Sequence, residues 1–84
     1  MAYTLDHVMM RIEDEEESLD WYTEHLDYEI KGEMEGGDFT NYYLGPEDVH
    51  EDGALLELNY HHGDHTYEMG HAWGHIAVRV EAGE

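Results

Sequence analysis

The 84-residue chain has no cysteine, one proline and three basic side chains, Arg11, Lys31 and Arg79. Without cysteine, disulfides contribute nothing to stability and the redox compartment cannot be read. No apolar run approaches the ~20 residues that a membrane-spanning helix needs, and no signal peptide is read at the start. The expectation is therefore a soluble, cytoplasmic protein with no membrane partner. So few cations also exclude nucleic acid as a partner, because binding it relies on clustered Lys and Arg that neutralise phosphates.

What the chain has in excess is acid: 22 Asp and Glu give a net charge of −19. Such acidity is compatible with disorder, but 40% hydrophobic and 12% aromatic residues, set at regular periods, point to a folded domain. The reading is a halophilic protein. Its surface carboxylates repel one another in dilute buffer, and molar salt shortens the screening length to about 3 Å. A chain of this size hides only about 60% of its unfolded surface and gains from a partner subunit.

Residues 5–12 (LDHVMMRI) read as a strand with Val8, Met10 and Ile12 on one parity and His7, Met9 and Arg11 on the other. Asp14 with Glu17 forms a capping-box pattern that opens a helix over 15–26, whose inward stripe is Leu19, Tyr22 and Leu26. Residues 28–35 and 38–44 read as strands joined at Gly36-Gly37, and GPED at 45–48 as a turn. Residues 53–60 (GALLELNY) form the next strand, with Leu55, Glu57 and Asn59 opposite Ala54, Leu56, Leu58 and Tyr60. A polar loop follows over 61–70, and 74–80 (GHIAVRV) reads as a final strand with His75, Ala77 and Arg79 on one parity.

The predicted order is βαβββ plus one additional strand. That last strand repeats the first: residues 7–12 and 75–80 share H-φ-x-φ-R-φ, where φ is aliphatic or Met. The shared His and Arg favour duplication over chance. Residues 1–70 are then a first module with its connecting loop, and 71–84 begin a second, incomplete one.

Most of the eight histidines need no special role. His25 and His50 read as solvated side chains. His61, His62, Asp64 and His65 form a loop cluster that could bind a transition metal, although a solvated polar loop is the simpler identity. His7, Glu57 and His75 differ, because each sits mid-strand opposite the aliphatic parity. A glutamate within ALLELNY is costly to bury unless paired or bound to metal. Two readings stand: a solvent-facing surface with an ordinary Glu57, or a site whose two imidazoles and carboxylate suit Zn, Ni, Co or Fe(II). Arg11, on the same face, is suited to a substrate carboxylate. Arg79 is open between that role and pairing with local acids.

LDHVMMRIEDEEESLDWYTEHLDYEI resembles the opening of bacterial-type glyoxalase I, ALLELNY its glutamate strand, and YEMGHAWGHIAVRV its second His strand. The resemblance implies the vicinal oxygen chelate fold, an α+β architecture of paired βαβββ modules around a divalent metal. By it, His7, Glu57 and His75 fall on three of four metal ligands, the fourth being a glutamate of the second module beyond Glu84. That fourth ligand is also the family's leading catalytic base. Within this chain Glu57 takes the catalytic role, and Arg11 matches a residue that contacts the thiol's glutamyl carboxylate.

The implied reaction is isomerisation of the hemithioacetal of methylglyoxal and a thiol, typically glutathione, to the S-lactoyl thioester. The metal acts as a Lewis acid and a carboxylate moves the proton. Resemblance to short bacterial members implies Ni²⁺ ahead of Zn²⁺ or Co²⁺. It also implies a homodimer in which His7 and Glu57 come from one chain and His75 from the other. This chain departs from the family at His61-His62, where Asn-Trp is usual, and at Asp27, where a helix-ending Gly is common. Two rivals stand beside this reading: an Fe(II) ring-cleaving dioxygenase, and a binding half-module without turnover whose two copies share His7 and Glu57.

Overall fold

The computed structural model describes residues 3, 5–47 and 54–79. Its elements run β1 (His7–Ile12), α1 (Glu15–His25), β2 (Glu29–Glu35), β3 (Phe39–Gly45) and β4 (Leu55–His61). The four strands form one sheet in the order β1-β4-β3-β2. β1 and β4 run parallel, which requires a crossover, and α1 begins it. The other neighbours are antiparallel.

Local sequence explains each element. Asp14 caps the helix by accepting from the Glu17 amide at 2.8 Å, and Glu15, Glu16 and Glu17 place negative charge on the positive end of the helix dipole. At the hairpin, the Gly36 amide donates to the Phe39 carbonyl at 2.9 Å. A Cβ at Gly36 would overlap the Phe39 ring, so the turn needs glycine there. Between Ile30 and Gly32 the register of β2 shifts, which leaves Lys31 as a bulge.

Alternation sorts the sheet into two faces. Val8, Met10 and Ile12 of β1, Leu56, Leu58 and Tyr60 of β4, and Thr40, Tyr42 and Leu44 of β3 share the helix side. Ile12, Tyr42, Leu44 and Leu58 are the buried core, and Leu19 and Tyr22 of α1 pack against it. The helix also ties to the sheet through the Tyr42 hydroxyl, which donates to the Glu15 carboxylate. Burial and that carboxylate push the Tyr42 phenol well above its ordinary value.

Two expectations are corrected. Residues 74–79 form no strand, so the additional strand is absent among the described residues. Ile76 and Val78 instead line an apolar groove with Trp21, Tyr22, Leu26, Tyr28 and Leu56. The physical reason is that a strand is defined by its ladder, and residues 74–79 pair with no strand among the described residues. His61, expected in the loop, is the last residue of β4, held in register with Phe39. Asp48, His50, Gly53 and Val80, to which the sequence also assigns roles, lie outside the described residues.

After α1 the chain turns through Asp27 at φ 54. That is left-handed backbone, which costs an L-residue roughly 1–2 kcal/mol and glycine nothing. Asp27 also brings negative charge to the negative end of the helix dipole. Replacing Asp27 with glycine should therefore stabilise the fold by about 1 kcal/mol in urea denaturation, whereas Asp27→Ala should not.

Candidate metal centre

The face opposite α1 carries the polar residues. His7, Met9 and Arg11 of β1 lie beside Leu55, Glu57, Asn59 and His61 of β4, with Phe39, Asn41 and Tyr43 of β3 beyond. Register brings His7 opposite Leu55 and Met9 opposite Glu57, so His7 and Glu57 are diagonal neighbours on one face. The His7 ring spans that diagonal, and its Nε2 lies 2.9 Å from Glu57 Oε1. His7 Nδ1 meets Asp6 Oδ2 at 2.7 Å, and the ring stands edge-on to Tyr43.

Burial distinguishes the two partners. Glu57 is only 7% exposed, while His7 is open to solvent. A carboxylate at that depth is costly unless it is engaged, and His7 engages it. The separation also fits the chemistry of a shared ion. Two donors each about 2.1 Å from one ion and at right angles to each other stand ~3 Å apart. The carboxylate partner on Nδ1 leaves Nε2 for the metal, the arrangement usual for metal-binding histidines. The pair therefore fits a divalent ion as two adjacent ligands.

The third expected ligand lies elsewhere. His75 is exposed, on the segment that leaves the sheet. Among the described residues no three His, Asp or Glu side chains converge as a metal site would require, and this includes the His61–His65 loop. Arg79 is likewise away from the face, beside His25, Leu26, Asp27 and Tyr28 at the helix end.

Arg11 does occupy the face, but it pairs with neutral groups rather than acids. Its Nη1 donates to Asn59 Oδ1 at 3.1 Å and meets His61 Nε2 at 3.1 Å. Asn59 Nδ2 in turn donates to Asn41 Oδ1 at 2.6 Å. Sequence reasoning placed Asn59 on this face without a role and missed Asn41 and Asp6. The signal for His61 was available, since it continues the Glu57, Asn59 parity by one more step.

The His7 pKa is raised, chiefly by the hydrogen bond to Asp6 and with help from the Glu57 and Asp6 charges, against a smaller opposing effect of burial. A raised histidine stabilises the metal-free fold below its unfolded value and loses that contribution as pH rises through the folded one. His7→Gln should thus cost stability at mildly acidic pH, and the difference from wild type should shrink on raising pH, read by urea denaturation in chelator.

The profile of the Glyoxalase/Bleomycin resistance protein/Dioxygenase superfamily matches residues 4–83. The chain belongs to that superfamily. Among glyoxalase-superfamily relatives, a probable lactoylglutathione lyase of Vibrio cholerae is 36% identical over 77 residues, covering 89% of this chain and 55% of the relative. The lactoylglutathione lyase of Escherichia coli O157:H7 is 36% identical over 80 residues, covering 89% and 56%. A solved Leishmania major glyoxalase I, described as trypanothione-dependent, superposes with a TM-score of 0.79 at 31% identity, covering 94% of this chain and 58% of that one. The chain thus spans little more than half the length of these relatives. The βαβββ module described above is a glyoxalase-like vicinal oxygen chelate module. No helix among the described residues is long and apolar enough to cross a membrane.

Proposed function

We propose that this chain supplies the metal-binding half of a glyoxalase I that isomerises the hemithioacetal of methylglyoxal and a low-molecular-weight thiol to the lactoyl thioester. The observation that carries this is the 2.9 Å approach of His7 Nε2 to the buried Glu57 carboxylate. The names of the relatives support the reaction class. His7 and Glu57 would hold a divalent ion, Ni²⁺ before Zn²⁺ or Co²⁺, and the ion supplies Lewis acidity toward the substrate oxygens. The remaining donors are His75 of a second copy and a glutamate from a second module. Glu57 is the buried carboxylate of this face, and the isomerisation needs a carboxylate to take a proton from one carbon and return it to the next. Arg11 is the cation on the same face and anchors a substrate carboxylate. Halophilic origin, a cytoplasmic setting and homodimer formation belong to the same proposal.

The test is thioester formation from methylglyoxal plus glutathione by the Ni²⁺-loaded chain, in molar salt. Activity lost in His7→Ala and Glu57→Gln but kept in His25→Gln supports the reading, and turnover of catechols instead of the hemithioacetal overturns it. A second reading has its own observation, that among the described residues no third donor joins His7 and Glu57. In that reading two copies pair their His7 and Glu57 around one ion without turnover. Native mass spectrometry showing one metal per two chains, together with no thioester formation, selects it.

A further inference from the structure

The contact between Arg11 and His61 constrains both residues. A guanidinium has five N–H donors and no acceptor, so at 3.1 Å His61 Nε2 must be the acceptor. The ring is then neutral, with its proton on Nδ1. Arg11 Nη1 carries two hydrogens, and the structure assigns a partner to each: Asn59 Oδ1 and His61 Nε2. Contacts of Arg11 among the described residues all fall on Nη1. Its Nε and Nη2 edge, the pair of parallel donors that matches a carboxylate, belongs to an exposed side chain.

The holders are themselves held. Asn59 is 6% exposed and tied to the equally buried Asn41. His61 is half-buried, tilted against Phe39 of β3 and edge-on to His65 of the loop. His65 stacks in turn on Tyr67, and its Nε2 meets the His62 carbonyl at 3.1 Å. The titratable or charged groups set against the His61 ring are therefore Arg11 from β1 and His65 from the loop. No other cation competes at this place. Lys31 is engaged by Glu29 and the Glu47 carbonyl on β2, and Arg79 lies at the helix end.

We propose that His61 is a positioning residue for substrate specificity: its neutral ring fixes the Arg11 guanidinium so that the free Nε and Nη2 edge reads one carboxylate of the thiol. This rests on the glyoxalase reading for the identity of the ligand. It does not rest on the metal, since neither Arg11 nor His61 touches His7 or Glu57 in the contacts above. The sequence shows His61 as a departure from the family's pattern, and the structure gives that departure a role.

The experiment is calorimetric titration of the full chain, in molar salt, with S-methylglutathione, a thioether that cannot react. His61→Phe keeps a ring and loses the acceptor, and should weaken binding by about tenfold. His61→Gln returns an acceptor near the Nε2 position and should bind within about twofold of wild type. An analogue lacking the glutamyl α-carboxylate should bind wild type and His61→Phe alike. Nitrogen NMR of the His61 ring in the free protein should show the proton on Nδ1 at neutral pH. Equal binding by wild type and His61→Phe, or a proton on Nε2, overturns the proposal. If wild type fails to bind S-methylglutathione while the ring proton sits on Nδ1, the glutathione reading falls and the hold on Arg11 stands.

Discussion

Glu57→Gln should lower the affinity of the chain for Ni²⁺ by roughly 100-fold or more, with the far-UV spectrum unchanged. Removing groups that merely orient metal ligands costs ~10–100-fold, and Glu57 is proposed as a ligand itself. The substitution preserves shape and still offers His7 Nε2 an oxygen at the place where the carboxylate now sits, 2.9 Å away. What disappears is the negative charge, which an ion needs and a hydrogen-bonded histidine does not. This separates the two uses of the pair. If His7 and Glu57 are only a structural ion pair, Ni²⁺ binding by calorimetry will be weak in wild type and unchanged in the variant. His65→Gln serves as the control for loop histidines and should leave affinity as it is, since no three ligands converge there among the described residues.

The sequence made the two faces of β1 and β4 legible, because apolar and polar residue types alternate along them. ALLELNY places Leu58 in the core and Glu57 on the opposite face, and the structure agrees. Asp14 marked the start of α1, since a side-chain acceptor before a helical run satisfies an amide that the helix cannot. The failures have a common cause, namely dependence on a neighbour. Residues 7–12 and 75–80 carry one pattern, yet His7–Ile12 is a strand and 74–79 is not. The first stretch lies beside β4 and bonds to it. The second pairs with no strand among the described residues, and pattern alone cannot supply hydrogen bonds. The same limit applied to the site. Parity put His7, Glu57 and Arg11 on one face, but the diagonal offset that joins His7 to Glu57 depends on the β1–β4 register, which no local signal encodes. His75 is expected from a second chain, and within this one its segment forms no strand.

Leu58→Ala should remove about 2–5 kcal/mol of stability, the range for deleting a fully buried leucine side chain. Leu58 is 0% exposed and is one of only four buried hydrophobic residues among those described, with Ile12, Tyr42 and Leu44. It sits centrally on β4, opposite Met10 of β1 on one side and Tyr42 of β3 on the other, so no adjacent loop can collapse into the space. A domain of this size has on the order of 5–10 kcal/mol in total, and repulsion among its acids lowers that in dilute buffer. The variant should therefore be largely unfolded at low ionic strength. In molar potassium chloride, where exposed charges are screened beyond about 3 Å, a cooperative urea transition should return at a lower midpoint than wild type. Val8→Ala, at a position 36% exposed on the same side of the sheet, should shift the midpoint far less. Equal losses at the two positions would mean that the helix-side core does not hold the module together, and that its stability comes from surfaces outside it. If salt rescues Leu58→Ala while leaving the difference from wild type unchanged, charge and packing act independently: the acids set the salt requirement, and the four-residue core sets the fold.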